Sequence, residues 1–485
     1  MVTRRGFVAA AGAGLAAPLL LTSPARAAGG RVRRDVTDLA DTDPFFGKYA
    51  DAVRAMHRLP ESDGRSWRRQ ARIHADSCKH GGLQFLHWHR HYLAFFEGIC
   101  GELIGDPGFA LPYWNWTKKS GVIPAPFFDI DALNVETWND PGVYSSRNWP
   151  DIDTVGRRGL VKGQGLLDDP VRGGSFTIET IDAIKRMPSA DLFRGRLESS
   201  PHNDGHVVAG ATASGKTGHI GDGLSPLDPI FWLHHCMVDR LWAEWQGAGN
   251  ATPDPNESYA GQFVDRLGAP AGATAGGALT IAALGYTYDV LEDAAGPRPA
   301  SGSLLSAILP DLEAAVRDRA APVPLGAADG GGVAAPFVST AIKVPLRGLP
   351  GVLASDRAFR EVRASRVPTL AVEGRRILAR FTGVKPPSGR RDIVVNVFVD
   401  CPYLSPTTGY VDPHYAGTFS FFGRGDHGTH GREILIDITA PVRTLAREDR
   451  IRGEQLTVQL MPLPAYMKGG SETTFQPGRV EIIAV

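Results

Sequence analysis

Residues 74–97 read HADSCKHGGLQFLHWHRHYLAFFE and contain five of the fourteen histidines of the chain. A neutral imidazole nitrogen is the commonest protein ligand for copper, zinc and iron. Large apolar and aromatic residues surround these histidines, so the stretch predicts a metal site bordered by a hydrophobic core. The remaining sequence indicates which histidines are candidate ligands and which chemistry they would support.

The first 27 residues have the order of an export signal, with basic residues, an apolar run and then the small-residue sequence Ala25-Arg26-Ala27. Paired Arg4 and Arg5 make residues 1–27 resemble a twin-arginine signal. The apolar run is short and ends in a cleavage pattern, which favours export over a membrane anchor. The sequence therefore predicts a secreted or periplasmic protein that has no membrane contact after removal of the signal.

Charge and cysteine content narrow the function classes. The chain has 52 basic and 52 acidic residues, and three of the basic ones are arginines of the signal, so the exported chain has a net charge of about −3. This balance does not indicate nucleic-acid binding. Four cysteines are too few for a disulfide scaffold even in an oxidising compartment: Cys78, Cys100, Cys236 and Cys401.

A chain of 485 residues exceeds what one hydrophobic core usually supports, which predicts at least two domains. Helical spacing and long Gly- and Pro-rich loops occupy residues 28–289. Residues 290–335 are rich in Ala, Gly, Pro and Asp, as in a linker. Beyond them, alternating runs such as 391–399 and 433–438 predict a small β-sandwich at residues 336–485.

A second group of histidines lies far along the chain. His202 and His206 are four residues apart, which places both on one face of a helix and within reach of one ion. His89 begins an apolar stripe at helical spacing, so its imidazole should point into the core. His80 cannot share that helix face and must come from the preceding loop, which the two glycines at positions 81–82 permit.

Two choices stay open on spacing alone. His87 and His91 form a rival pair on the first helix, although their face is less clearly apolar. His234 lies on the better apolar stripe of a second helix, whereas His235 has Asp239 four residues on. A carboxylate that receives the second ring N–H is a common partner of a metal-bound histidine, so spacing favours His235 only slightly.

Two runs resemble the copper signatures of the tyrosinase, catechol oxidase and molluscan haemocyanin superfamily: His80-x4-Phe85-Leu86-x-Trp88-His89-Arg90-x2-Leu93-x3-Glu97 and Asp228-Pro229-x-Phe231-Trp232-x2-His235-x3-Asp239. The resemblance implies a mainly α catalytic core, in which a four-helix bundle with long loops holds a type-3 centre of two copper ions, followed by a C-terminal β-sandwich. It assigns three histidines to each ion: His74, His80 and His89 to the first, and His202, His206 and His235 to the second. It also favours His235 over His234.

Other segments extend the resemblance. Cys78 is similar to the cysteine that forms a thioether with a copper-bound histidine in fungal tyrosinases and haemocyanins, which implies a crosslink between Cys78 and His80; a free or buried thiol is the alternative. Tyr286-Thr287-Tyr288 resembles the paired-tyrosine motif that closes the core in plant and fungal members, and the Arg33-Arg34 segment resembles its N-terminal partner. The alternating C-terminal region resembles the sandwich domain of plant polyphenol oxidases.

The chemistry that this resemblance implies is phenol oxidation. Three imidazoles leave positions on each copper ion open for dioxygen and a phenolic substrate, unlike a closed structural site. Family members oxidise o-diphenols to o-quinones, and some first hydroxylate monophenols at the ortho position. Glu198 and Asn203 resemble the pair that holds a water in members with monophenolase activity, where the phenol must lose its proton. Alternatively, Glu198 caps the helix that bears His202, and Asn203 faces solvent.

The C-terminal domain is a candidate shield of the copper cleft, as in latent relatives. Tyr415, Phe421 and Phe422 are the candidate covering side chains. His427 and His430 lie in a Gly-rich loop, where a solvated turn is favoured over a role in copper delivery.

Two other functions compete with phenol oxidation. Oxidation of o-aminophenols would use the same site, and the sequence does not separate the two substrate classes. Reversible dioxygen binding, as in haemocyanin, is the alternative from another class, but the single-chain length and the export signal argue against a carrier. A copper-delivery protein is a further candidate partner, and the sequence identifies neither that protein nor the natural phenol nor the oligomeric state.

Overall fold

The computed structural model describes residues 30–138, 154–212, 217–291, 322–347, 375–385, 393–422, 432–448, 450–451, 455–465 and 474–485. The predicted signal at residues 1–27 and the loop with His427 and His430 lie outside these ranges. Within them, the chain forms a helical core followed by antiparallel sheets, so the predicted fold class is confirmed. None of the helices in these ranges combines the length and the apolarity that crossing a membrane requires.

The helical domain is built from α1 (Pro44–Arg58), α2 (Trp67–Ser77), α3 (Gln84–Ile104), α4 (Pro126–Asp129), α5 (Ile178–Lys185), α6 (Ala190–Leu197), α7 (Asn203–Gly210) and α8 (Ile230–Gly247). Helix α3 ends where Gly105 adopts a left-handed conformation with a φ of 69°. Helix α8 begins after Asp228, whose carboxylate accepts a hydrogen bond from the amide of Ile230 at 3.1 Å.

Helices α3 and α8 form the centre of this domain. The rings of Phe96 and Trp232 stack with centroids 3.4 Å apart, and both side chains are buried. Burying one such ring contributes ~2–3 kcal/mol to the free energy of unfolding. Arg158 forms a buried ion pair with Asp228, so the long loop between α4 and α5 is fastened to the start of α8.

Short strands join the loops of the helical domain: β1 (Arg31–Arg33), β2 (Thr154–Val155), β3 (Thr217–Gly218), β4 (Phe263–Val264), β5 (Pro270–Ala271) and β6 (Tyr286–Tyr288). Strand β1 pairs parallel with β6, from Arg31 opposite Tyr286 to Arg33 opposite Tyr288. The N-terminal segment is thereby held against the end of the domain.

The second domain is a sandwich of two antiparallel sheets, with α9 (Thr439–Arg447) at one end. Its strands are β7 (Val323–Asp329), β8 (Thr340–Pro345), β9 (Ile377–Val384), β10 (Ile393–Val399), β11 (Tyr415–Ser420), β12 (Arg432–Asp437), β13 (Gln455–Pro464) and β14 (Arg479–Ala484). One sheet has the order β11-β10-β13-β8 and the other β12-β9-β14-β7. All side chains of β10 are buried, because one face packs in the sandwich core and the other meets the helical domain.

The sandwich begins earlier in the chain than predicted. Strand β7 lies inside residues 290–335, the range predicted as a linker, and pairs with β14 from Val323 opposite Ala484 to Asp329 opposite Arg479. It is an edge strand in which only Leu325 is buried, so its sequence lacks the alternation that indicates a half-buried strand. Among the described residues, the sandwich therefore includes Val323–Asp329, ahead of the predicted start at residue 336.

A loop of the helical domain, residues 169–172, forms hydrogen bonds to the sandwich, and we call it the docking loop. Arg172 is buried, and its guanidinium donates two hydrogen bonds to the carbonyl oxygen of Pro464 on β13, at 3.0 and 2.7 Å. In the other direction, the side-chain amide of Asn396 on β10 and the backbone amide of Tyr410 each donate to a carbonyl oxygen of the loop, at 2.8 and 3.0 Å. The sandwich is therefore held by directional hydrogen bonds beside apolar contacts.

Candidate metal centre

The six predicted ligands come from six places in the helical domain: α2 (His74), the loop between α2 and α3 (His80), α3 (His89), the turn before α7 (His202), α7 (His206) and α8 (His235). The sequence prediction that His80 lies in the loop before a helix is confirmed. His202 does not lie within the helix of His206, because Ser200 is extended, with a φ of −170°, and Pro201 follows it. The rings of His202 and His206 are nevertheless neighbours, with centroids 4.7 Å apart.

Five of these imidazoles turn Nδ1 onto an oxygen atom. The pairs are His74 with the Gly223 carbonyl (3.0 Å), His80 with Glu198 Oε1 (3.2 Å), His89 with the Phe85 carbonyl (2.8 Å), His202 with Asn203 Oδ1 (3.0 Å) and His206 with the Ile220 carbonyl (2.7 Å). An Nδ1–H that donates to oxygen fixes the orientation of the ring and leaves the Nε2 lone pair free for a metal. Of these six ligands, four have a buried Nε2 atom without a hydrogen-bond partner among the described residues: His74, His80, His89 and His202.

The free nitrogens converge on one region. Ligand atoms from one group lie within 4.8 Å of one another: His202, His206, His234 and His235. Two smaller groups at the same spacing share His74, one with Cys78 and His80 and the other with His89 and His235. His235 belongs to both halves of the site, and its ring stacks on His89 with centroids 4.5 Å apart. A set of imidazole donors suits copper or zinc and not a hard cation such as Mg²⁺, so the side chains fit two copper ions.

Burial keeps most of these imidazoles neutral. Burial, reinforced by neighbouring histidines, lowers the pKa well below its usual value in four rings: His89, His202, His206 and His235. Neutral imidazole is the form that binds a metal. A metal ion would therefore meet little competition from protons at these positions near neutral pH.

His80 has a different electrostatic environment. Burial lowers its pKa, but Cys78 and Glu198 outweigh this effect and raise the pKa to about 9. The sulfur of Cys78 lies within 4.8 Å of a ring nitrogen of His80, and Cys78 forms no disulfide. The two side chains are therefore near enough for the crosslink that the family resemblance implies.

Glu198 and Asn203 are both buried beside the histidines, so Asn203 does not face solvent. Glu198 Oε1 accepts a hydrogen bond from the amide of Gly81 at 2.8 Å, and Oε2 accepts one from Arg194 Nη1 at 3.0 Å. Burial raises the pKa of Glu198, but its hydrogen bond to His80 and the charge of Arg194 lower it to about 2. Sequence reasoning missed Arg194, although the four-residue spacing of opposite charges on a helix was a usable signal.

Of the three candidate shielding residues, Phe422 lies over the histidines. Its ring is parallel to that of His206, with centroids 3.7 Å apart and an interplanar angle of 8°, and it is 2% exposed. Phe421 packs inside the sandwich against Phe475. Tyr415 belongs to a separate apolar cluster beside the docking loop. Among the described residues, the sandwich thus places Phe422 against the metal centre.

The predicted contact between Asp239 and His235 is absent. The carboxylate of Asp239 is held by two arginines and two tyrosines: Arg33, Arg90, Tyr286 and Tyr288. The Nδ1 of His235 has no partner within the described ranges. Two buried guanidinium groups attract the carboxylate more strongly than a neutral imidazole does, so Asp239 turns away from the ligand.

Arg33 joins the N-terminal segment to the paired tyrosines and to the two central helices. It binds Glu97 on α3 at 2.9 Å and Asp239 on α8 at 3.0 Å, and it stacks on Tyr286 at 3.7 Å. Arg34, by contrast, pairs with Asp43 near the surface. Of these two arginines, only Arg33 contacts both central helices.

His87 and His91 lie outside the metal centre. The Nδ1 of His87 is 2.9 Å from the Leu83 carbonyl, and its ring packs against Trp242. The Nε2 of His91 is 2.8 Å from the Thr274 carbonyl. Neither belongs to a ligand group of the described residues.

Comparisons with known proteins identify the helical domain. Residues 49–248 match the family described as the common central domain of tyrosinase. The chain is 30% identical over 247 residues to (+)-larreatricin hydroxylase of Larrea tridentata, which covers 44% of this chain and 41% of that protein. It is 31% identical over 245 residues to catechol oxidase B of Solanum tuberosum, with 44% and 41% covered. The matched region thus spans less than half the length of these curated relatives.

The fold of the whole chain is similar to that of a solved structure. The structure of latent apple tyrosinase superposes with a TM-score of 0.59, covering 96% of this chain and 99% of that chain at 22% identity. This likeness concerns the fold and includes the order of helical core and sandwich.

Proposed function

We propose that the chain, whose residues 49–248 match the common central domain of tyrosinase, is a copper-dependent oxidoreductase that uses dioxygen to oxidise o-diphenols to o-quinones. The observation that carries this proposal is the set of buried imidazoles whose Nδ1 atoms are anchored on oxygen while their Nε2 atoms face one another. Two bound copper ions would supply the binding of dioxygen and the two-electron oxidation of the substrate.

The proposed ligands divide into two sets of three. His74, His80 and His89 would hold the first copper ion, and His202, His206 and His235 the second. In five of the six rings, the anchored Nδ1 atom fixes the direction of the Nε2 lone pair before a metal binds, which lowers the reorganisation that metal binding requires. The buried aromatic surroundings, such as Phe231 at 4.4 Å from the ring of His235, exclude water from the site.

Glu198 bears on the choice between diphenols and monophenols. We propose that Glu198, together with Asn203, takes part in removing the proton of a monophenol. Monophenol conversion should be slower than diphenol oxidation. The reason for the lower rate is that the carboxylate already accepts hydrogen bonds from His80, Gly81 and Arg194. A carboxylate with three donors is less available to a substrate or water.

The function is tested with copper-loaded protein and three substrates: a catechol, tyrosine and 2-aminophenol. We expect rapid quinone formation from the catechol and slower conversion of tyrosine. Preferred turnover of 2-aminophenol would instead favour an o-aminophenol oxidase. Two bound copper ions with reversible dioxygen binding, but no turnover of any substrate after the sandwich is removed, would favour a haemocyanin-like carrier.

The sandwich is proposed to shield this site through Phe422. The ring of Phe422 covers one face of His206 at a stacking distance of 3.7 Å, so a phenolic ring would be excluded from that face. The docking loop would hold the shield in place, and Arg172 is its buried anchor. The two elements have separable roles, because one covers the histidines and the other attaches the domain.

A cleavable protease site between residues 292 and 321 tests the shield. After cleavage we expect the sandwich to stay bound and the activity to stay low. Arg172→Ala should then release the sandwich and raise activity, since losing hydrogen bonds of a charged group removes ~1.5–3 kcal/mol of binding free energy. Replacement of the exposed Arg447 by Ala is the control. Release of the sandwich without a rise in activity would contradict the shielding role.

Residues 1–27 are proposed to direct export through a twin-arginine route. Replacement of Arg4 and Arg5 by Lys should retain the protein inside the producing cell, as measured by fractionation. Unchanged export of that variant would contradict the proposal.

A further inference from the structure

His234 is a seventh histidine at the metal centre, beyond the six proposed ligands. It is completely buried, and neither ring nitrogen has a hydrogen bond of normal geometry to any described residue. A buried polar group without a partner costs about 1–3 kcal/mol of stability. Burial of the His234 imidazole therefore lowers the stability of the protein, and no hydrogen bond to the described residues offsets this cost.

The ring of His234 packs against the two other histidines of its half-site. Its centroid is 4.6 Å from that of His206, at an interplanar angle of 77°, and 5.5 Å from that of His202, at 25°. Trp116 completes the enclosure, with its ring centroid 5.0 Å away. His234 thus contacts one ligand ring edge to face and the other nearly in parallel.

This packing depends on Gly205, which lies on α7 between the two ligands. A Cβ atom at Gly205 would lie 2.5 Å from Cε1 of His234, closer than real Cβ contacts allow. Glycine inside a helix is about 1 kcal/mol less favourable than alanine. The helix backbone therefore meets the imidazole directly, and a side chain at position 205 would displace the ring.

We propose that His234 is a positioning residue that holds the rings of His202 and His206 in the orientation that presents Nε2 to the second metal ion. The inference rests on the proposed copper site. His234 acts through the two rings and not as a ligand of its own. Loss of comparable supporting groups lowers metal affinity by about 10–100-fold.

A double-mutant cycle between His234 and Gly205 tests the proposal. The readout is the affinity for the second metal ion, measured by chelator competition with copper and separately with zinc. We expect His234→Ala to lower this affinity by about tenfold. Gly205→Ala should do the same in the native background, because its methyl group displaces His234, and should have no further effect when His234 is already Ala.

His87→Ala is the matched control, since His87 is also a buried histidine with an unpartnered Nε2 but lies outside the ligand groups. Additive losses in the cycle, or native affinity in His234→Ala, would overturn the proposal. Because the cycle is read from metal affinity, failure to oxidise any phenol would contradict the proposed function and leave this test intact. The double variant lacks the steric clash, so it provides a folded reference if Gly205→Ala alone is unstable.

Discussion

The two halves of the metal centre use the same donor atoms in different electrostatic surroundings. In the first half, His80 is partly exposed and faces Cys78 and the Glu198 carboxylate, which is itself paired with Arg194. In the second half, His202, His206 and His235 are fully buried, and no carboxylate of the described residues hydrogen-bonds to their rings. The first half is organised by charge and the second by packing, so different changes should impair each.

The largest effect is expected at the ring that the halves share. His235 belongs to a ligand group in each half, so His235→Ala should impair both. We expect metal-dependent activity to fall by more than about 100-fold, beyond the range for supporting groups. Metal content per chain, with His91→Ala as the control, is the measurement; a fully metal-loaded and active His235→Ala protein would contradict the shared role.

Phe422→Ala should act on the second half more than on the first. Its ring stacks on His206 at 3.7 Å but is 6.0 Å from His80. We expect catechol turnover to rise without cleavage of the chain, and the free energy of unfolding to fall by ~3 kcal/mol through loss of the buried ring. Phe421→Ala, which removes a ring from the sandwich core, should destabilise the protein without raising turnover; equal activation by both variants would exclude a specific cover.

Glu198→Gln should act on the first half and on the proton of the substrate. The variant removes the carboxylate charge and keeps the shape of the side chain. We expect monophenolase activity to fall about tenfold more than diphenolase activity. Initial rates with tyrosine and with a catechol measure this ratio, and equal loss of both activities would argue that Glu198 only orients His80.

The smallest effect is the pH dependence of the metal-free protein, in which His80 should act in the opposite direction to the histidines whose pKa is lowered, His89 of the first half among them. The folded-state pKa of His80 is raised from 6.5 to about 9, so its contribution to stability is fully present below pH 6.5 and is lost as the pH rises toward 9. The folded-state pKa values of the second-half histidines are lowered, so their contribution is present above pH 6.5 and is lost as the pH falls below that value.

Thermal unfolding of metal-free protein from acid to alkaline pH measures both effects. The loss of stability above pH 6.5 is the alkaline arm, and the loss below pH 6.5 is the acid arm. Cys78→Ser should flatten the alkaline arm alone, because Cys78 contributes to the raised pKa of His80. Flattening of the acid arm by the same change would contradict the separate electrostatic role of His80.

Sequence patterns predicted the structure correctly where the residues that determine a feature lie close together in the chain. The loop position of His80 and the presence of strands at β10 and β12 were predicted correctly, because glycines and runs of β-branched residues act over a few residues; the predicted alternation was not found in β10, which is buried on both faces. The predicted link from Asp239 to His235 was wrong, since spacing of four residues cannot reveal that Arg33 and Arg90 arrive from elsewhere in the chain.

The sequence by itself determined the fold class and the candidate ligands, because two long motifs and their spacing require no knowledge of distant contacts. Tertiary structure alone decided the rest. It decided that Phe422, and not Tyr415 or Phe421, lies over the histidines, and that β7 belongs to the sandwich. It also decided which oxygen atoms anchor each Nδ1, since carbonyls such as those of Gly223 and Ile220 have no side-chain signature. The physical reason is that these contacts depend on where backbone and side chains from separate elements meet, and a local pattern does not encode that position.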